Sequence, residues 1–584
     1  MTSSVSRRVI AGLGAFTAVA VLAACGSGRT DANSSTSSQT TAGGATTTQQ
    51  QPSGSTASGE SQSSGGAGSQ TSGPAPSGAQ IKIGTTDKVV ALDPAGSYDN
   101  GSLMLETQLY QYLMVIPSGE KTPTPDAADK CDFTDGGKSY TCTMKDGLKF
   151  SNGDPLTAKD VEFSFSRVVK INDPNGPSSL LANMKSVKAT DDKTVVFELN
   201  TPSDQTFPFV LGTSAGPIVD SKVFPADKLL PDEQVIGSGP YKLGAGYQKN
   251  QLAALEVNPN YQGNGGTVAN GGVTLQYFTD AANLKLAVQG GDVDVAWRSL
   301  DAQSISDLRN DSKVKVVEGP GGEIRYLVFN LKTMPGDNEA QKQAIRRAVA
   351  YSVDRATIAD TIYQGTYSPL YSMVPDGLPG HVDAFKDTFG EAPDKAKAAE
   401  ELTKAGVKTP VALNVEYSPD HYGPSSGDEY AEVKRQLEAT GLFTVNLQSA
   451  EWTTYTKERT SDAYPAYQLG WFPDFPDADN YLSPFLVPGN FVGAHYCDKD
   501  AAAGSRPCDT DKVLPLIATE QSKSGDDRVK AIEDIQKATT DGTLPTLPLL
   551  QGKQIAVTGA SVTGVDKTLD SSFLFRFWLI SKSA

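Results

Sequence analysis

The sequence predicts a mixed α/β protein with more than one lobe, on three observations. Strand-like and helix-like segments alternate from residue 80 to residue 584,. That span of roughly 500 residues is too long for a single hydrophobic core. No long linker interrupts it, and no self-similarity recurs at a period of roughly 20–50 residues.

The 584 residues carry 51 Lys+Arg against 68 Asp+Glu and three His, a net charge of −17. Such a chain lacks the basic surface that phosphate backbones require, so nucleic acid is excluded as a partner. It lacks a polybasic grip on anionic lipid for the same reason. The hydrophobic fraction of 38% is low because one stretch near the N-terminus holds almost no apolar residues.

Residues 1–24 read as a processing segment: Arg7 and Arg8 precede an apolar run at residues 9–24, which is short for a spanning helix,. The run ends Leu22-Ala23-Ala24-Cys25-Gly26, which resembles the lipobox of bacterial lipoproteins. That resemblance implies cleavage before Cys25 and acylation of its thiol, palmitate included. Two or more acyl chains make a stable anchor where one is marginal. Residues 25–79 are then a tether: after Cys25 they are almost wholly Ser, Thr, Gly, Gln, Ala and Pro, with only Arg29, Asp31 and Glu60 charged. Such a stretch cannot offset its ordering entropy by burial and is expected to be disordered, spanning on the order of 40 Å as a coil.

Four further cysteines, Cys131, Cys142, Cys497 and Cys508, allow three pairings,. The sequence-local pairs are expected as disulfides in an oxidising compartment, with a metal site as the alternative. Cys131 and Cys142 flank the turn-like Asp135-Gly136-Gly137 between two strand-like segments, as in a hairpin.

In the body, Ile81-Lys82-Ile83-Gly84, Thr194 to Leu199 and Ile324 to Phe329 read as strands,. Asn338 to Tyr363 reads as helix, with Ile345, Val349 and Val353 on one face and Asp354 capping a second short helix,. Residues 394–405 and 428–440 read as exposed helices, the latter closed by Gly441,. In the stretch 139–167, Thr157 and Asp160 form a capping box ahead of a helix bearing Val161, Phe165 and Val168,.

That same stretch, SYTCTMKDGLKFSNGDPLTAKDVEFSFSR, resembles the signature of the extracellular solute-binding proteins that serve peptide and nickel ABC importers. Gly237-Ser238-Gly239-Pro240-Tyr241, Asn258-Pro259-Asn260-Tyr261, Gly291-Asp292-Val293-Asp294-Val295 and Arg347 to Arg355 extend the resemblance over residues 80–584. It implies a two-lobed periplasmic-binding-protein fold with an extra subdomain. Lobe I is expected at 80–329 with the subdomain at about 100–204, lobe II at 330–547, and a return segment at 548–584. It further implies a monomer that captures peptides or another small solute, closes on it and delivers it to importer permease subunits. The protein would sit lipid-anchored on the extracellular face of the cell membrane. Alternatives within the resemblance are a nickel chelate, haem or an oligosaccharide as cargo, or a receptor for peptide signals.

The candidate site is Gln468-Leu469-Gly470-Trp471-Phe472-Pro473-Asp474. The resemblance makes Asp474 the partner of a ligand α-ammonium, and Gly470, Trp471 and Phe472 the pocket wall. An ammonium enclosed away from water needs such a charged, hydrogen-bonded partner. Some relatives carry Arg where this chain has Gln468, which cannot form a bidentate pair with a ligand carboxylate. Tyr98 and Asn100, in Ser97-Tyr98-Asp99-Asn100, occupy the family's first cleft-lining loop.

No enzyme, cofactor or metal is expected. The matches to G-x-S-x-G at Gly212–Gly216 and Gly423–Gly427 lack the strand-to-helix setting of a hydrolase elbow,. The first follows Phe209-Val210-Leu211, which could be a strand, but Pro217 opposes the helix that must come next,. His381, His421 and His495 stand far apart in sequence.

Overall fold

The computed structural model describes residues 78–419, 421–487 and 510–583. Cys25, the tether up to residue 77, Cys497 and Cys508 lie outside the described residues.

Two large sheets and a smaller one organise the body. The first runs Val314–Gly319, Gln554–Gly559, Val295–Trp297, Ile81–Thr85, Val273–Tyr277, Leu252–Val257, Tyr241–Leu243. The second runs Tyr367–Pro369, Thr546–Gly552, Ile324–Phe329, Ala466–Trp471, Val411–Tyr417, Phe443–Ser449. Both mix parallel and antiparallel neighbours; inner strands such as Ile324–Phe329 are buried on both faces and read as near-continuous apolar runs, whereas outer ones such as Phe443–Ser449 alternate buried and exposed residues,. In Ile324–Phe329, Leu327 and Phe329 enter one core while Ile324, Tyr326 and Val328 enter the other,.

The third sheet, Ala128–Thr134, Ser139–Met144, Thr194–Leu199, Met184–Ala189, is wholly antiparallel. Its first hairpin turns at Asp135–Gly137 and carries the Cys131–Cys142 disulfide between directly paired residues. The helix Ala158–Ile171 begins in the capping box of Thr157 and Asp160 and packs Val161, Phe165 and Val168 against this sheet. Helices Glu339–Ala350 and Arg355–Thr361 follow one another, the second capped by Asp354. Residues Phe207–Val210 form a short helix and not a strand, with Pro208 in its first turn setting helical geometry,.

Sheet membership puts the crossings between lobes at residues 319–324 and 552–554, where the sequence suggests 329/330 and 547/548. A run that is apolar on both faces carries no sign of which sheet it joins, so those edges are invisible to periodicity. The two crossing segments touch: Gln551 Nε2 donates to Gly321 O at 2.8 Å and Gly552 N to Glu323 O at 2.8 Å. A Cβ on Gly321 would stand 2.1 Å from Gly552 O, so glycine is required for that approach.

Candidate functional site

Two adjoining cavities open where these crossings bring the lobes together. The larger, about 520 Å³, is lined by Asp87, Arg298, Glu323, Arg325, Tyr367 and Lys553 among others. The smaller, about 240 Å³, is lined by Tyr98, Asn100, Gly470, Trp471, Pro473 and Asp474 among others. His421, Tyr422 and Phe472 line both.

The strand Ala466–Trp471 delivers the second lobe's contribution. It pairs with Ile324–Phe329, placing Gly470 opposite Arg325 and Trp471 opposite Ile324. Pro473 and Pro476 follow, lacking the N–H groups a ladder needs, so the chain leaves the sheet at the cavity edge,. It then enters the 3₁₀ turn Ala478–Tyr481, capped by Asp477, whose carboxylate also pairs with Arg528 at 2.7 Å. That turn presents Asn480, which organises the pocket. Its Oδ1 accepts from Trp471 Nε1 at 2.9 Å and from Asp474 N at 3.0 Å, and its Nδ2 donates to Asp474 Oδ2 at 3.0 Å.

The first lobe contributes Tyr98, whose hydroxyl donates to Asp474 Oδ1. Asp93 caps the turn Pro94–Gly96 just before it, and Asp99 caps the helix Asn100–Leu109 just after it, accepting from Ser102 N at 2.9 Å. Tyr98 is thus fixed between two capped elements. Burial pushes the Asp474 carboxyl above the usual carboxylate range, and the bonds from Tyr98 and Asn480 oppose that shift without cancelling it. Burial and the neighbouring Asp474 push the Tyr98 phenol up as well. Among the described residues, no cation pairs with Asp474. Within those residues the carboxylate is supported by neutral donors, an arrangement that favours the arrival of a positive charge.

The pocket wall is built by close approach. A Cβ on Gly470 would stand 2.9 Å from the Tyr422 ring, so glycine lets Tyr422 lie against the strand between the two cavities. Phe472 meets Phe573 edge-on at 5.9 Å and the Arg298 guanidinium at 5.5 Å, a contact between lobes. Arg298 in turn donates through Nε and Nη2 to Asp87, each at 3.2 Å.

Of the residues expected from sequence, Asp474, Trp471, Gly470, Phe472, Tyr98 and Asn100 all line a cavity. Gln468 does not. It is fully buried on the sheet face it shares with Gly470, and its Oε1 accepts from Ser418 N at 3.2 Å. Sequence reasoning missed Asn480, Tyr422, Arg298 and Arg325. Of these only Arg325 left a signal: a charge inside the apolar strand Ile324–Phe329. Among the described residues, no group of three or more His, Cys, Asp or Glu is placed to hold a metal ion, and no helix is long and apolar enough to cross a membrane.

Comparison with known proteins agrees with this architecture. The profile for bacterial extracellular solute-binding proteins, family 5 (middle), matches residues 122–492. The probable D,D-dipeptide-binding periplasmic protein of Escherichia coli K12 is 28% identical over 477 residues, covering 79% of this chain and 86% of that protein. The heme-binding protein A of Haemophilus influenzae is 26% identical over 412 residues, covering 66% of this chain and 72% of that protein. Among solved structures, the dipeptide binding protein of Pseudoalteromonas sp. SM9913 in complex with Met-Leu superposes with a TM-score of 0.69 at 20% identity, covering 86% of this chain and all of that one.

Proposed function

Since this chain belongs to family 5 of the bacterial extracellular solute-binding proteins, we propose that it captures short peptides with a free N-terminus and passes them to an ABC importer. One observation carries the reading. Asp474 lies in a pocket between lobes, held by Tyr98 from one side and Asn480 from the other, and no cation among the described residues pairs with it. A peptide α-ammonium supplies the missing charge, and in a water-poor cleft the charge-assisted bond is stronger than a neutral one. Because Tyr98 and Asp474 come from different lobes, their contact forms only when the lobes approach. Ligand affinity then follows from contacts made in the closed state, and the work is reversible binding without bond chemistry.

Mass spectrometry of the ligand released on denaturing the purified protein tests this directly, with peptides expected. A porphyrin there would instead favour haem as cargo, the cargo named for one relative. The family resemblance of Leu22–Cys25 supports a lipid anchor on the outer face of the membrane,. Palmitate labelling that disappears in Cys25→Ser is the expected result, and equal labelling of both proteins would remove the anchor.

A further inference from the structure

We propose that Phe475 is the latch of lobe closure: a side chain of the second lobe that docks into the core of the third sheet and ties that small sheet to capture at Asp474. This rests on the reading above, in which the lobes close on a ligand, and it gives the third sheet a part in that closure.

Phe475 departs from the packing of its own segment. Trp471 and Phe472 before it, and Ala478, Tyr481 and Leu482 after it, pack into or against an apolar cluster of the second lobe. Phe475 is 6% exposed and joins the cluster of the third sheet instead, where every other described member lies between residues 95 and 236. Pro473 and Pro476 flank Asp474-Phe475 and restrict the backbone on both sides, and Asp474 N donates to Asn480 Oδ1 at 3.0 Å,. Asp474 and Phe475 therefore move with the second lobe as one piece.

The receiving surface is held from behind. In the helix Phe207–Val210, Phe207 meets Tyr140 edge-on at 5.8 Å and Phe197 at 5.5 Å, both on strands of the third sheet. Phe209 of the same helix faces the other way across the gap, with its ring centroid 5.4 Å from that of Phe475 and 31° between the planes. A second contact spans the gap beside it: Gln205 N, just ahead of this helix, donates at 2.8 Å to Gln521 O of the second-lobe helix Thr510–Ser522. Thr213 and Ser214, just after the helix, line the smaller cavity together with Asp474.

Consecutive residues thus make two kinds of contact with the first lobe: Asp474 a polar one with Tyr98, Phe475 an apolar one with Phe209. Separating the lobes breaks both and wets the Phe475 ring, and closing recovers its burial. A contact present only in the closed form lengthens the life of the complex and leaves the first encounter with ligand unchanged.

Maleimide labelling of Phe475→Cys in the full chain, freed of ligand by mild denaturant and dialysis, reads the open state, and mass spectrometry of the fragment bearing residue 475 gives the rate. We expect labelling within about tenfold of the rate in unfolding urea, slowed at least about tenfold by saturating tri-alanine. From Phe475→Ser, tri-alanine should dissociate about ten- to a hundred-fold faster, with association within about twofold of wild type. The urea midpoint of that variant, measured without ligand, should match the wild type, and Phe475→Leu should recover most of the lifetime. Protection of residue 475 in the ligand-free protein, with a lowered urea midpoint in Phe475→Ser, would make Phe475 a fixed core residue and overturn the latch. Equal labelling with and without bound tri-alanine would overturn it as well. Should tri-alanine give no heat with the wild type while residue 475 labels freely, the peptide reading is what fails and the latch stands.

Discussion

Two carboxylates five residues and one lobe away from Tyr98 show how burial separates scaffold from site. Asp93 is fully buried and saturated: Arg167 Nη1 and Nη2 each donate to it at 2.6 Å, Leu230 N at 2.7 Å and Ala95 N at 3.0 Å. Arg167 is saturated as well, giving bonds to Pro225 O and Lys228 O. Asp474 has Tyr98 and Asn480 and, among the described residues, no cation. A carboxylate that owns its counter-charge holds parts of the fold together. One supported by neutral dipoles alone is left to take a charge from outside.

The largest expected effect falls on the saturated pair. Arg167→Met strands Asp93 in the core and should cost about 3–5 kcal/mol of stability, read by urea unfolding. Asp474→Asn breaks no ion pair among the described residues, so its stability should stay within about 1 kcal/mol of wild type. Its affinity for a peptide with a free N-terminus should nevertheless fall about ten- to a hundred-fold. If Asp474→Asn unfolds as easily as Arg167→Met, the distinction between the two carboxylates collapses.

Acidity separates binding from folding. Asp474 must be ionised to hold an ammonium, and its carboxyl is raised by burial. Affinity should therefore fall as pH drops through a value above the ordinary ~3.9 of aspartate. For folding the sign reverses. A raised carboxyl binds its proton more tightly when folded, so its contribution to stability is present below the unfolded pKa and is lost as pH rises through the folded one. Calorimetric affinity and urea unfolding measured between pH 4 and 7 should thus show contributions from Asp474 of opposite slope. The smallest effect is that of Tyr98→Phe. Losing one hydrogen bond should cost about 0.5–1.5 kcal/mol in affinity and move the pH midpoint upward, because Tyr98 supports the ionised form,.

The capping box at Thr157, the hairpin around Cys131 and Cys142 and the cap at Asp354 were legible in sequence because each depends on residues within a dozen positions. The family signature extended that reach to Asp474 and its neighbours. Asn480 was not legible: an Asn in a polar loop has many local uses, and only the 3₁₀ turn aims it at both Trp471 and Asp474. Arg298 was hidden for a similar reason, since its partners Asp87 and Phe472 lie 211 and 174 positions away. Local chemistry fixes helices and turns, whereas a cleft between lobes is made by contacts that no window of sequence contains.

The central claim, that Asp474 meets the ligand's α-ammonium, is tested most directly by four calorimetric titrations: wild type and Asp474→Asn, each with a peptide and its N-acetylated form. Acetylation should weaken binding to the wild type at least tenfold and binding to the variant by far less, leaving a coupling of about 1.4 kcal/mol or more. Equal acetylation costs in both proteins, or no cost in the wild type, would contradict it.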